Sequence, residues 1–233
     1  MKKKVLIIIS SLLIVGVLAA CQGISPATTR QISAAGTGKV YVVPDLAYVY
    51  IGVHTQEADV ATALSQNNSQ AQSISDTLKG QGIAAEDIQT TAFNVYPQQN
   101  YGPDGQPTDT TYAVDNTVFV TIRDLSKLGT ILDATVRSGA NTINGVSFDV
   151  ADRTAAENQA RELAVENAKA NAAELARLGN VTLGQLMSIS VYSNNNPTPV
   201  YAEKGGAAAN SAAPIASGQL VIQVDANLSY DIK

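Results

Sequence analysis

The chain has 233 residues, with 15 Lys and Arg against 20 Asp and Glu, a formal net charge of −5, one His and one Cys. Apart from three lysines at its start, this acidic chain has no basic cluster and so lacks the phosphate-neutralising surface on which nucleic-acid binding rests. A single Cys excludes an intramolecular disulfide and a thiolate metal cluster.

Lys2, Lys3 and Lys4 precede an almost unbroken apolar run over residues 5–20. As a helix that run spans about 24 Å, short of the ~30 Å hydrocarbon core of a bilayer. A positive start, a short apolar segment and small residues before a cleavage point are the pattern of a removable signal peptide. Leu18-Ala19-Ala20-Cys21 resembles the bacterial lipobox, in which the cysteine is acylated and becomes the first mature residue. Only a thiol can form the thioether to diacylglycerol, and two or more acyl chains hold a protein stably at a membrane. Residues 1–20 are thus expected to be removed and Cys21 to carry the lipid. Loss of the three lysines takes the net charge from −5 to −8 and leaves no free thiol. Residues 21–33 are polar, contain Pro26 and read as a lipidated tether that holds the body off the bilayer.

The ordered body is expected over residues 34–233. Residues 36–42 and 47–54 alternate as strands, with Pro44-Asp45 turning between them. Asp59 caps a predicted helix over 60–79, with Ala63, Leu64, Ala71, Ile74 and Leu78 on its apolar face and Gly80 and Gly82 as its stop. Residues 88–96 and 112–123 read as the strands of a long hairpin around a Gln-, Asn-, Gly- and Pro-rich loop at 97–109. A short helix over 125–137 ends at Ser138-Gly139, and a strand follows over 143–150. Asp152 then caps a helix over 153–178 in which Ala156, Ala160, Ala164, Ala168, Ala172 and Ala176 recur every fourth residue. That spacing overshoots a turn by about 40°, so the small-residue row winds around the helix toward different neighbours; high helix propensity alone also accounts for it. Strands over 183–192 and 219–230 flank a low-complexity stretch at 194–217.

The two halves share one order: strand, long helix, strand, polar loop, strand. Val95-Tyr96 and Val191-Tyr192 match at an offset of 96, each before an Asn/Gln-rich run. The reading is two β-α-β-β units, about 46–123 and 142–230, joined by the short helix and sharing one mostly antiparallel sheet packed by two long helices. Duplication of this kind builds scaffolds and is silent on chemistry.

Gly36-Thr37-Gly38 leading into Val40, Pro44-Asp45-Leu46-Ala47, Gly82-Ile83, Asp87-Ile88-Gln89-Thr90, Tyr112 to Asn116, Val120 to Leu125, Ser138-Gly139-Ala140 and Ile143 to Val146 follow one another in an order and spacing that resemble the SIMPL family of bacterial envelope proteins. With the Ala-rich helix and Leu183-Gly184, the resemblance covers nearly all of the mature chain. It implies an α+β fold and an envelope location. One relative is associated with ring-like, many-subunit assemblies, and members have been linked to stress tolerance. The family supplies no catalytic residues to carry over, and the lipobox departs from the plain signal of many members.

Candidate chemistry is sparse. His54 is the only histidine and reads as structural or surface; Asp45 reads as a turn former. Asp104-Gly105 with Asp109 lacks the alternating acids and terminal Glu of a calcium loop, and Gly36-Thr37-Gly38 lacks the third glycine and helix of a dinucleotide fingerprint, so it reads as strand-entry punctuation. Neither a cofactor nor a metal is expected. Tyr101, Asp104 and Tyr112 near one loop tip and Tyr192, Asn195 and Tyr201 near the other are the candidate interaction residues, since tyrosine offers large contact area at small entropic cost. The function expected is a non-enzymatic, self-assembling envelope lipoprotein with an unidentified envelope protein partner. The alternatives are a monomeric binding module for a peptide, glycan or envelope partner, and a hydrolase with an unrecognised site. Gln22 after the cysteine, rather than Asp, points to the outer membrane of a two-membrane cell, facing the periplasm; in a one-membrane cell the site is the outer face of the plasma membrane.

Overall fold

The computed structural model describes residues 30–193, 197–200 and 216–233. Cys21, Asn195 and Tyr201 lie outside them. The elements run β1 (Gln31–Val42), β2 (Leu46–Glu57), α1 (Val60–Gly80), β3 (Ile88–Tyr101), β4 (Pro107–Ile122), α2 (Leu128–Arg137), β5 (Thr142–Asp149), α3 (Thr154–Leu178), β6 (Leu183–Ser193), β7 (Thr198–Val200) and β8 (Gln219–Ile232). The ladder of β1 opens inside the stretch read as tether. Among the described residues no helix is long and apolar enough to cross a membrane.

The fold is α+β with antiparallel pairing throughout. The strands form two sheets, β3-β4-β2-β5 and β1-β8-β6 with β7 also on β8, which corrects the expectation of one. The sequence order of the two units is kept, but the second loses its first strand to the other sheet, and a strand outside both units replaces it. β5 lies beside β2 in the first sheet, and β1 takes the place beside β8. Pro44, which has no N–H to give a ladder, marks the crossing: β1 ends at Val42, and Asp45 N–H already donates to Asp149 O of β5 at 3.0 Å.

In the first lobe, Ala47, Val49, Ile51 and Val53 of β2 and Val120 and Ile122 of β4 meet Ile74 and Leu78 of α1 and Leu128 and Ile131 of α2. Asp59 accepts from Thr62 N–H at 2.9 Å and starts α1; Gly82, at φ +89°, carries the chain away from its end. The α1 face also contains a polar residue. Asn67 is fully buried, and its Nδ2 donates to Val53 O at 3.1 Å and Val114 O at 2.9 Å, fastening the helix to two strands. Thr55 Oγ1 adds a bond to Ala63 O at 2.9 Å.

In the second lobe, Leu220, Ile222, Val224, Ala226 and Leu228 alternate inward along β8 beneath α3. The alanine row is buried from Ala160 to Ala176, so it is a packing surface and not only a set of helix formers. The reason lies in β1. A Cβ on Gly38 would fall 1.9 Å from Ala160 O, and one on Gly36 would fall 2.2 Å from Ala168 N. The Gly36-Thr37-Gly38 motif is therefore a seat for the helix backbone, not strand-entry punctuation. Asn167 and Asn171, one turn apart, donate from Nδ2 to Thr37 O at 2.8 Å and Ala35 O at 2.7 Å.

The loop expected at 97–109 is mostly strand. Beyond the last pair of β2 with β4, Glu57 with Tyr112, strands β3 and β4 continue alone as a two-stranded arm pairing Pro97 with Tyr112, Gln98 with Thr111, Gln99 with Thr110 and Tyr101 with Pro107. Only Gly102 to Gln106 turn, closed by Gly102 N–H to Gln106 O at 2.8 Å with Gly105 at φ +74°. Cross-strand polar pairs hold the arm, such as Thr110 Oγ1 to Gln99 Oε1 at 3.3 Å. Pro97 fits because β3 is an edge strand.

Candidate interaction surface

A sheet edge with free N–H and C=O groups is a template for another strand, and proteins usually blunt it. Three of the four edges here are long, and they are treated differently. On the β1 edge, the amides of Asn167 and Asn171 occupy the carbonyls of Thr37 and Ala35. The β5 edge is short, eight residues, and its register on β2 shifts at Val49/Tyr50. The β3 and β6 edges, 14 and 11 residues long, pair on one side only among the described residues.

Those two strands also carry uncovered apolar side chains. Register puts Phe93 and Val95 on the face of buried Val114, and Ile189 and Val191 on the face of buried Leu228 and Ala226. Helix α1 packs on β2 and β4 and α3 mainly on β1 and β8, leaving the four residues 36% to 52% exposed. The match is positional: Phe93 with Ile189 and Val95 with Val191 share the 96-residue offset, and Tyr96 and Tyr192 follow on the opposite face, both exposed. An open backbone edge beside an uncovered apolar ledge is what strand addition requires.

The residues singled out from the sequence fall into three groups. Tyr101 is exposed at the end of the arm, and Asp104 Oδ1 accepts from Gln106 N–H at 3.2 Å within its turn. Tyr112 is half-buried at the base of the arm and not at its tip, because the strands extend past it. Tyr192 lies exposed on β6 itself.

Register also assembles a polar cluster that sequence spacing did not reveal. His54 stands opposite Asp115, with Nδ1 2.6 Å from Oδ1, and Tyr96 OH donates to Asp115 Oδ2 at 3.0 Å. That hydrogen bond, then burial and then the carboxylate's charge hold the Tyr96 phenol above its ordinary pKa. Asn141 brackets the His54 backbone, accepting its N–H and donating to its C=O, both at 2.7 Å. The three side chains lie on an open sheet face, so they tie β2, β4 and β3 together without enclosing a substrate. A cleft of about 600 Å³ lies elsewhere, lined by Tyr48, Phe148, Arg153, Pro197, Pro199 and Gln219 among others, with Arg153 ion-paired to Asp149. Among the described residues no group of three or more His, Cys, Asp or Glu could hold a metal ion.

Residues 32–230 match the family described as SIMPL, protein of unknown function (DUF541). The chain belongs to the SIMPL family. The SIMPL match opens one residue into β1 and closes two before the end of β8, so it takes in both sheets. Similar proteins include the 26 kDa periplasmic immunogenic protein of Brucella melitensis, 32% identical over 213 residues, covering 87% of this chain and 85% of the relative. The protein named "Uncharacterized protein YggE" is 33% identical in Escherichia coli K12 over 217 residues, covering 89% and 88%. Its counterpart in Edwardsiella ictaluri is 32% identical over 238 residues, covering 98% and 100%.

Proposed function

We propose that this SIMPL protein is a non-enzymatic scaffold of the bacterial cell envelope, built from two β-α-β-β units, lipid-anchored through Cys21 and self-assembling through its strand edges. The observation that carries the reading is the pair of edges, β3 and β6, unpaired on one side among the described residues and each with an apolar ledge at matching positions, in a molecule whose β1 edge has two carbonyls occupied by side-chain amides. The relative's name places that protein in the periplasm, and an envelope site agrees with a signal peptide and lipobox. A lysine on an edge strand blocks strand addition by placing a solvated charge where the partner must dry.

The test is sedimentation velocity on the soluble protein from Gln22 onward, with Phe93→Lys and Val191→Lys alongside. The expected result is a discrete oligomer for the parent and monomer for either variant. A parent that remains monomeric at high concentration would refute self-assembly. The second reading, a monomeric binding module, rests on the arm, which stands clear of the sheet with Tyr101 exposed at its end. It is the one left if the parent is monomeric and a Tyr101→Ser variant loses capture of an envelope peptide or glycan.

A further inference from the structure

The structure also indicates which end of the body meets the bilayer. Eight residues, 22–29, separate Cys21 from Arg30. At full extension they reach about 30 Å, and a flexible chain of that length averages about 17 Å. Acylation of Cys21 would therefore hold Arg30 within that distance of the acyl chains. Its carbonyl accepts from Ile232 N–H at 3.1 Å, and Thr182 and Lys233 exchange two backbone hydrogen bonds of 3.0 Å. The start of β1, the end of β8 and the turn after α3 thus share one end of the second sheet.

Helix α3 runs down to the same end. Asn167 reaches Thr37 and Asn171 reaches Ala35, so the helix descends as the strand is read backward. At 1.5 Å per residue of helix against about 3.3 Å per residue of strand, Leu175 is level with the region of Ser33, and Leu178 with that of Gln31 and Ile32. Both lie on the flank that carries Asn171, and they are 45% and 62% exposed. Arg30 and Lys233, at the same end of the sheet, are exposed.

We propose that this end of the second lobe, with Leu175 and Leu178 foremost and Arg30 and Lys233 around them, rests in the headgroup region of the membrane that holds the lipid anchor. Two leucines bind a free bilayer weakly. Tethering makes their insertion intramolecular, at an effective concentration in the millimolar range for a short flexible linker. The inference rests on the reading of Cys21 as acylated. It has a geometric consequence for assembly. β6 starts at this end, where Leu183 pairs with Ile232, and runs away from it to Ser193. Its open edge stands up from the membrane, and copies in the same bilayer meet side by side along it.

The test uses the full-length protein, isolated from membranes and reconstituted into phosphatidylethanolamine–phosphatidylglycerol vesicles. Acylation of Cys21 leaves an introduced Leu178→Cys as the one reactive thiol, and it is labelled with a polarity-sensitive fluorophore; Asp104→Cys on the arm is the reference. The expected result is a blue-shifted emission at position 178, quenched severalfold more by headgroup-nitroxide lipids than at position 104. Equal quenching at the two positions, with the lipid mass present on the N-terminal peptide, overturns the docking while leaving the anchor. An N-terminal peptide without lipid overturns both.

Discussion

Replacing Gly38 by alanine adds one methyl group at the tightest point of the second lobe. Its Cβ would lie 1.9 Å from Ala160 O and 2.7 Å from Ala164 N. Both are backbone atoms of α3, so no side chain can rotate away. Restoring an ordinary separation of about 3.4 Å requires the helix and strand to part by roughly 1.5 Å. That movement would loosen Ala160, Ala164 and Ala168 from Ile222, Val224, Ala226 and Leu228 and stretch the Asn167 and Asn171 bonds. Overpacking alone costs about 1–3 kcal/mol, and each of the two strained hydrogen bonds adds about 1 kcal/mol, so Gly38→Ala is expected to cost roughly 3–5 kcal/mol. With a urea m-value of about 2 kcal/mol/M, the unfolding midpoint followed by far-ultraviolet circular dichroism would fall by about 1.5–2.5 M. Gly80→Ala is the matched control. Nothing lies within 4 Å of its added methyl, and it ends α1, so its midpoint should equal or slightly exceed the parent's. A Gly38→Ala protein within about 0.5 kcal/mol of the parent at unchanged m-value would refute the seating of α3 on the β1 backbone.

Asn67→Leu removes the only two bonds shown for its Nδ2 and leaves Val53 O and Val114 O without that donor in the core. A loss of about 2–4 kcal/mol is expected, read as a lower thermal midpoint, and an unchanged midpoint would show that the two Asn67 bonds do not hold α1. Acid should destabilise the body. Hydrogen bonds lower the carboxyl pKa of Asp59 (from Thr62 N–H), Asp124 (from Ser126), Asp152 (from Thr154 N–H), Glu174 (from Arg177) and Asp225 (from Thr37, then Gln223). A depressed folded pKa gives stability that is complete above the unfolded values near pH 4 and is lost as pH falls through the folded ones. The urea midpoint should be level at neutral pH and drop below about pH 4, with Asp225→Asn flattening part of that drop; a midpoint that rises on acidification would contradict this assignment.

Much of the fold is legible in the sequence because its elements have strong periods. The alternation of Leu220, Ile222, Val224, Ala226 and Leu228 is a half-buried strand on sight, and the alanine row marks a close-packed helix. Pairing is less legible. Nothing local says that Gln31 pairs with Asp231, 200 residues away, or that β5 extends the first sheet and not the second. The arm was hidden by composition: Gln98, Gln99, Thr110 and Thr111 form a ladder through side-chain hydrogen bonds and not through the apolar faces that give strands away. Gly36 and Gly38 look like turn residues until the helix they admit is in place. The union of His54, Asp115 and Tyr96 depends on three strands in register, and no spacing rule reaches across them. The open edges could be anticipated as a class, but which strands carry them depends on where α1 and α3 pack.

The pairing of β1 with β8 has a consequence for how the protein is made. Strand β1 must wait, unpartnered, while nearly 180 residues pass before residues 219–232 arrive to complete its ladder. Long-range pairing of this kind is slow and leaves a strand exposed meanwhile. The first lobe has its four strands complete by Asp149 and can condense while the rest of the chain is still emerging. The second closes like a clasp, last, where β1 meets β8.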